Sequence, residues 1–156
     1  MEFSTMLTLS DPSVRRSIVD RVARVRQDGK PLWGRMSASQ MLCHLSDSFR
    51  AALGEKRVSP ATGVLQRTVV KWFALYVPIP WPQGLPTRPE MDQGAGGTPP
   101  GDFERDRAGL LLLTKRFCAA DPGLKWRHPI FGELTDSERM RWGYLHVDHH
   151  LRQFGA

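Results

Sequence analysis

Three of the five histidines in this chain, His146, His149 and His150, fall within five residues near its end. On a helix of 3.6 residues per turn, His146 and His150 lie about 40° apart, one turn above the other. Trp142, His149 and Gln153 share that stripe. Imidazoles at i and i+4 can converge on one ion, which is the geometry of histidine pairs in helical zinc sites. A catalytic metal usually takes three protein ligands and keeps a further position open. His44 is the candidate third ligand, because it sits between Met41 and Leu45 in an apolar-periodic stretch that points it at or near the core. Metal sites in bundles are assembled in this way, from side chains on facing helices. The plainer reading of any one histidine is a hydrogen-bonded or partly exposed side chain. That reading suits His128, which precedes Pro129 in a loop, and it suits His44 taken alone; the pair His146 and His150 favours metal binding.

Three neutral imidazoles would leave a divalent ion its full charge. Such an ion lowers the pKa of a bound water from 15.7 towards about 7, and it equally stabilises a thiolate brought by a small-molecule thiol. The residues do not choose between these nucleophiles. Asp47, three residues beyond His44 on roughly the same helix face, is a candidate general base or a group that orients a ligand imidazole. A solvent-facing aspartate explains it equally well. His149 is the other candidate base, or merely a neighbouring donor or surface group. Gln153 and Trp142 are candidate pocket or supporting residues. Arg88 and Glu90 could line a substrate entrance. Cys43 points about 100° away from His44 on its helix, and no serine or cysteine has the local context of a nucleophile.

These side chains must be positioned by helices. Asp11-Pro12 pairs an N-cap residue with proline at the first helical position. Val14, Ile18, Val19, Val22 and Val25 then recur at helical spacing to about Asp28-Gly29. Ser37 and Gln40 form a capping box before a second helix carrying Met41, Leu42, Leu45, Phe49 and Leu53, which Gly54 stops. Ser59-Pro60 opens a third helix to about Tyr76. Over 78–100, seven prolines and four glycines occupy 23 residues, which no regular element tolerates. Trp81, Leu85 and Met91 within it favour an ordered loop packed on the helices over a flexible linker. Asp102 begins a fourth helix that ends at Asp121-Pro122-Gly123. The last opens on a second capping box, Thr135 with Glu138, and runs to about Phe154. No strand-like alternation and no hairpin dipeptide intervenes, so the expectation is an all-α bundle, one domain over 1–156.

Composition agrees with an ordinary globular chain: 156 residues, 40% hydrophobic and 24% charged, in the usual range for soluble domains. That excludes a disordered chain, a collagen-like repeat and a coiled-coil rod. Cys43 and Cys118 are too few for a disulfide framework. No basic segment followed by an apolar one opens the chain, and no apolar run approaches the ~20 residues of a membrane span. A cytoplasmic protein without a membrane partner is expected. The net charge of +6, with five arginines between Arg15 and Arg26, calls for weighing nucleic-acid binding. No reader motif accompanies it, so a solvated basic helix face is expected instead.

Residues His146, His149, His150 and Gln153 match the H-x-x-H-H-x-x-Q pattern on the last helix of the DinB/YfiT-like superfamily. Residues 33–47, WGRMSASQMLCHLSD, resemble the stretch that carries the first metal histidine of that superfamily. This stretch, the loop PWPQGLPTRPE at 80–90 and HPIFG at 128–132 together look still more like one uncharacterised family within it. The similarity runs over most of the chain. It implies a DinB-like four-helix bundle with a long Pro/Gly-rich loop between the third and fourth helices. It also implies a divalent ion (zinc, nickel or manganese) on His44, His146 and His150, and dimers more often than monomers. Many members carry Arg-Gly before the glutamine, where this chain has Leu151-Arg152. Members of the superfamily include thiol-dependent transferases and isomerases, while many have no assigned reaction. Three readings follow: a hydrolase-type enzyme acting on a small molecule through activated water, an S-transferase or isomerase using a low-molecular-weight thiol, and a non-catalytic metal-binding or basic nucleic-acid-interaction module.

Overall fold

Helix α1 (Pro12–Arg24) starts where its signals place it, with the Asp11 carboxylate accepting from the Ser13 amide. It ends earlier than the apolar spacing suggests. Val25 is already extended and drops its side chain into the core, while the Arg107 guanidinium donates to its carbonyl. A computed structural model describes residues 6–156; the reading of the chain's opening for a leader falls partly on 1–5, outside the described residues. Helix α2 (Ala38–Ala52) carries the expected capping box between Ser37 and Gln40. Most of its residues are buried, so it is the central helix.

The third helix departs from expectation. Ser59-Pro60 does not open it: 59–62 is irregular, held where Arg88 donates to Ser59 and the Ala61 amide donates to the Pro129 carbonyl at 2.8 Å. Partners from distant loops outweigh the local cap signal. The helix begins at Val64, runs through a widened π-type turn at Gln66–Val70 and continues as α3 (Lys71–Tyr76). The Thr68 hydroxyl donates back to the Val64 carbonyl at 2.7 Å, a side-chain bond that competes with the regular ladder.

The Pro/Gly-rich loop is packed, with one 3-10 turn at Pro89–Met91. Trp81 is pinned by its indole N–H, which donates to the Ala74 carbonyl at 2.8 Å. Leu85 is exposed and takes no part in this packing. Helix α4 (Phe103–Ala119) is capped by Asp102, and α5 (Asp136–Gln153) by the box of Thr135 and Glu138. Between them lies a hairpin that the sequence does not announce, β1 (Arg127–His128) antiparallel to β2 (Gly132–Glu133). Two residues per strand are too few for an alternation to be read.

Helices α1 and α2 each pack on α4 and α5, and α3 packs on α5. The shared core includes Leu42, Phe49, Leu110, Phe117, Val147 and Leu151. Gly143 permits the close approach of α5 to α4, since a Cβ there would stand 2.7 Å from the Phe117 ring. The chain is thus mostly helical, with the chemistry-bearing faces of α2 and α5 turned towards each other. No helix among the described residues is long and apolar enough to cross a membrane. Several N-terminal arginines have partners within the chain: Arg15 donates to the Leu9 carbonyl, Arg21 to Asp148 and the Ala156 carbonyl, and Arg26 to Asp28.

Candidate metal centre

His44 arrives from α2 and His146 and His150 from successive turns of α5. One ring nitrogen from each lies within 4.8 Å of the other two. The Nε2 atoms of His44 and His146 are 3.1 Å apart. Ring centroids are separated by 4.7 Å for His44 and His150, and by 5.0 Å for His146 and His150. Ligating nitrogens on a tetrahedral ion with bonds of about 2.0–2.1 Å stand roughly 3.3 Å apart. The three donors therefore fit a single divalent cation.

The tautomers of His44 and His150 are fixed from outside the cluster. His44 Nδ1–H donates to the Met91 carbonyl at 2.9 Å, which leaves its Nε2 lone pair facing inward. His150 Nδ1–H donates to Gln153 Oε1 at 2.9 Å. The Gln153 amide is itself oriented, because its Nε2–H donates to the Trp33 carbonyl at 2.9 Å. That carbonyl is presented by a turn at Gly34 with φ +77°, where a Cβ would sit 3.0 Å from Gln153 Nε2. Such outer partners hold a ligand ring in one orientation and raise its basicity.

All three rings are kept neutral, the state a ligand needs. Burial lowers the pKa of His44. Burial, then the neighbouring rings of His150 and His44, push that of His146 well down, and burial followed by His44 brings His150 to about 3. His44 is buried, whereas His146 and His150 stay partly open. Trp81 tilts over His146 and His149, with centroids 6.2 and 6.1 Å away, and Trp33 meets His149 edge-on at 5.7 Å. Trp142 lies beneath His146 at 5.3 Å. The surroundings are aromatic rather than charged.

His149 flanks the cluster, partly exposed, with no hydrogen bond to its ring among the described residues. Burial lowers its pKa, so at neutral pH it is a free base beside the three rings. Asp47 is placed otherwise. Its fully buried carboxylate accepts from the Thr98 amide and hydroxyl at 2.8 and 2.7 Å. It also meets Gln93 at 3.2 Å, Arg50 at 3.2 Å and Lys56 at 3.4 Å. This arrangement makes it an anchor that ties the Pro/Gly-rich loop to α2, rather than a base or a group bonded to a ligand ring. Arg88 and Glu90 likewise clamp Ser59. Cys43 donates to Asp106; burial, then Asp106, push its thiol up to about 12, out of reach as a nucleophile. Leu151 is a core residue and Arg152 pairs with Asp148, so the Leu-Arg pair before Gln153 leaves the three rings untouched.

His128 is a structural residue. Its Nδ1 accepts from the amides of Ile130 and Phe131, both at 3.1 Å, which closes the hairpin. Burial holds its pKa at about 3. An unfolded histidine takes up its proton near 6.5, so stability is full above that pH and falls as pH drops from 6.5 towards 3, by up to about 1.4 kcal/mol per pH unit. Asparagine offers an acceptor oxygen in the place of Nδ1. A His128→Asn variant should therefore show a shallower acid slope in urea unfolding between those pH values; an unchanged slope would remove His128 from the acid response.

Three contributors escape the sequence. The Met91 and Trp33 carbonyls are backbone groups, which no residue type signals, and Trp81 reaches the cluster only through the fold of the loop.

A family model described as a protein of unknown function (DUF1569) matches residues 15–156. No curated protein and no solved structure matches the chain.

Proposed function

The chain belongs to the DUF1569 family, and we propose that it is a metal-dependent enzyme of hydrolase type, built as a DinB/YfiT-like four-helix bundle around a three-histidine centre. The observation that carries this reading is the convergence of three neutral imidazoles within 4.8 Å, two of them held by outer partners so that a lone pair faces inward. The packing of α1, α2, α4 and α5 and the order of the histidine and glutamine motifs support the bundle assignment. His44 Nε2, His150 Nε2 and a nitrogen of His146 would hold zinc, nickel or manganese. Such an ion, when bound, supplies Lewis-acid activation of water at neutral pH.

The chain's own groups define the rest. His149, neutral and uncommitted beside the three rings, is the group that would take up a proton released there. The rings of Trp33 and Trp81 flank His149, so a small substrate with an apolar or aromatic portion fits best. Asp47 and Met91 hold the loop that carries Trp81 and keep His44 in its tautomer.

The test pairs metal analysis with a panel of esters, amides and lactones, each with and without a low-molecular-weight thiol. Hydrolysis that follows metal occupancy and needs no thiol supports the reading. Turnover only with a thiol would move the protein to the S-transferase or isomerase class, and a metal-free protein would end both readings. A further expected result concerns Gln153. Its replacement by leucine frees the His150 ring and the Trp33 carbonyl together, and should weaken metal binding about 10–100-fold with the fold retained. Competition with a chromogenic chelator would measure this, and an unchanged affinity would refute the orienting role.

A further inference from the structure

A cavity of about 510 Å³ opens between the 58–62 segment, the widened turn that carries Arg67 and the hairpin of β1 and β2. Sites for small molecules usually span ~300–1,000 Å³. Among the described residues, none of the clustered histidines on α2 and α5 lines it. Trp142 neighbours both places, with its ring 5.3 Å from His128 and 5.3 Å from His146. The cavity walls are apolar, from Val58, Pro60, Pro129 and Phe131.

Two polar groups that line this space are uncommitted. The first is a nitrogen of His128. Its Nδ1 accepts from the amides of Ile130 and Phe131 and so carries no proton. Burial holds the ring neutral, with a pKa of about 3, which puts the one proton on Nε2. Only 9% of His128 is exposed, and no group among the described residues accepts from that Nε2–H. The second is the Arg67 guanidinium, which has no ion pair or hydrogen bond among the described residues. Its side chain lies across Gly132, where a Cβ would stand 2.9 Å from Arg67 Cδ. The other two charges at the cavity, Arg127 and Glu133, pair with each other at 2.8 Å. One positive charge, that of Arg67, is left over.

We propose that this cavity is a second ligand site, separate from the histidine cluster, for a small carboxylic acid with a compact apolar or aromatic body. The carboxylate accepts from the Arg67 guanidinium, whose fork matches its two oxygens, and from His128 Nε2–H. The body of the acid packs against the proline and phenylalanine walls. A phosphate monoester fits less well, because it brings a second negative charge beside Glu133 with a single free cation to meet it.

NMR titration of the 15N-labelled full chain with benzoate, benzamide and phenyl phosphate tests the site. Benzoate is expected to move the amides of Phe131 and Gly132 and the His128 Nε2–H. It should bind at least about 10-fold more tightly than neutral benzamide, the scale of a hydrogen bond to a charged group, and more tightly than phenyl phosphate. Arg67→Gln should weaken benzoate by a similar factor of about 10 or more. His128→Asn keeps an acceptor for the two amides, removes Nε2–H, and should weaken binding in the same direction. Arg24→Gln, at an exposed position on α1, should leave the affinity unchanged. Carboxylates also ligate metal ions, so each titration is run with and without a chelator, and the same affinity is expected. The proposal is overturned if benzoate does not bind, if benzamide or phenyl phosphate binds as well, or if Arg67→Gln leaves the affinity unchanged. An equal loss in Arg24→Gln would also overturn it, as unspecific attraction to a basic chain. Binding that the chelator abolishes would overturn it too, and assign the acid to the histidine cluster.

Discussion

Alanine in place of His44, His146 or His150 is expected to take bound zinc, nickel or manganese from about one ion per chain to background. The reasoning starts from the rings themselves. His44 and His150 donate from Nδ1 to Met91 and Gln153, so both direct Nε2 lone pairs into a shared space. His146 has a proton for one of those gaps, as the 3.1 Å approach of its Nε2 to His44 allows, but not for both. Without a cation, the single proton of His146 can serve only one of the two inward-facing lone pairs. With one, all three lone pairs are satisfied. If the rings were ordinary packing, the fold would place an N–H in each gap instead. Metal should therefore stabilise the wild type, by about 4 kcal/mol when free metal exceeds Kd a thousandfold. For a domain of this size that is roughly 8–16 °C in Tm. Elemental mass spectrometry and melting curves with and without a chelator give the two readouts. Each variant should melt at a temperature indifferent to metal. A variant that keeps stoichiometric metal removes its residue from the ligand set, and a wild type indifferent to chelator removes the centre.

How much of this was legible beforehand follows from how local each signal is. The caps of α1, α2, α4 and α5 are decided within four residues, and Asp11, Ser37, Asp102 and Thr135 all make their bonds. The stripe of His146 and His150 is equally local, because one helix sets it. Bringing His44 to that stripe depends on α2 packing against α5, which the apolar face between Met41 and Phe49 made readable. The start of α3 was not, because Ser59 is held by Arg88 and Glu90 from about thirty residues away. The hairpin at Arg127–Glu133 was hidden for a related reason: its closure rests on one imidazole accepting two amides and on Gly132 at φ +70°, with no strand alternation to read. Asp47 was placed on the right face, but spacing cannot reveal that a loop fifty residues on would surround its carboxylate.

That carboxylate gives the other large effect. Asp47→Asn keeps the size of the side chain but removes its charge, and sets an amide N–H against the donors of Thr98, Gln93 or Lys56. Breaking a buried charged network of this kind costs about 3–5 kcal/mol, with the lower end expected here because Arg50 and Lys56 reach partly into solvent. Urea unfolding should register the loss. Burial pushes the Asp47 pKa up, but the bonds from Thr98 and the charge of Lys56 outweigh it and hold the carboxyl below its ordinary range. With the folded pKa depressed, the stabilisation is complete above the unfolded value near 3.9 and is lost as pH falls through the folded one. The gap between wild type and variant should then close only in strong acid. Loosening the loop also releases the Met91 carbonyl from His44, so limited proteolysis should begin cutting within 78–100, and metal affinity should fall about 10–100-fold. A general base behaves differently. If Asp47 were one, the asparagine variant would remain stable, resistant to protease and fully loaded with metal, and only turnover would fail. That pattern would restore Asp47 to the chemistry and displace His149 as the proton acceptor.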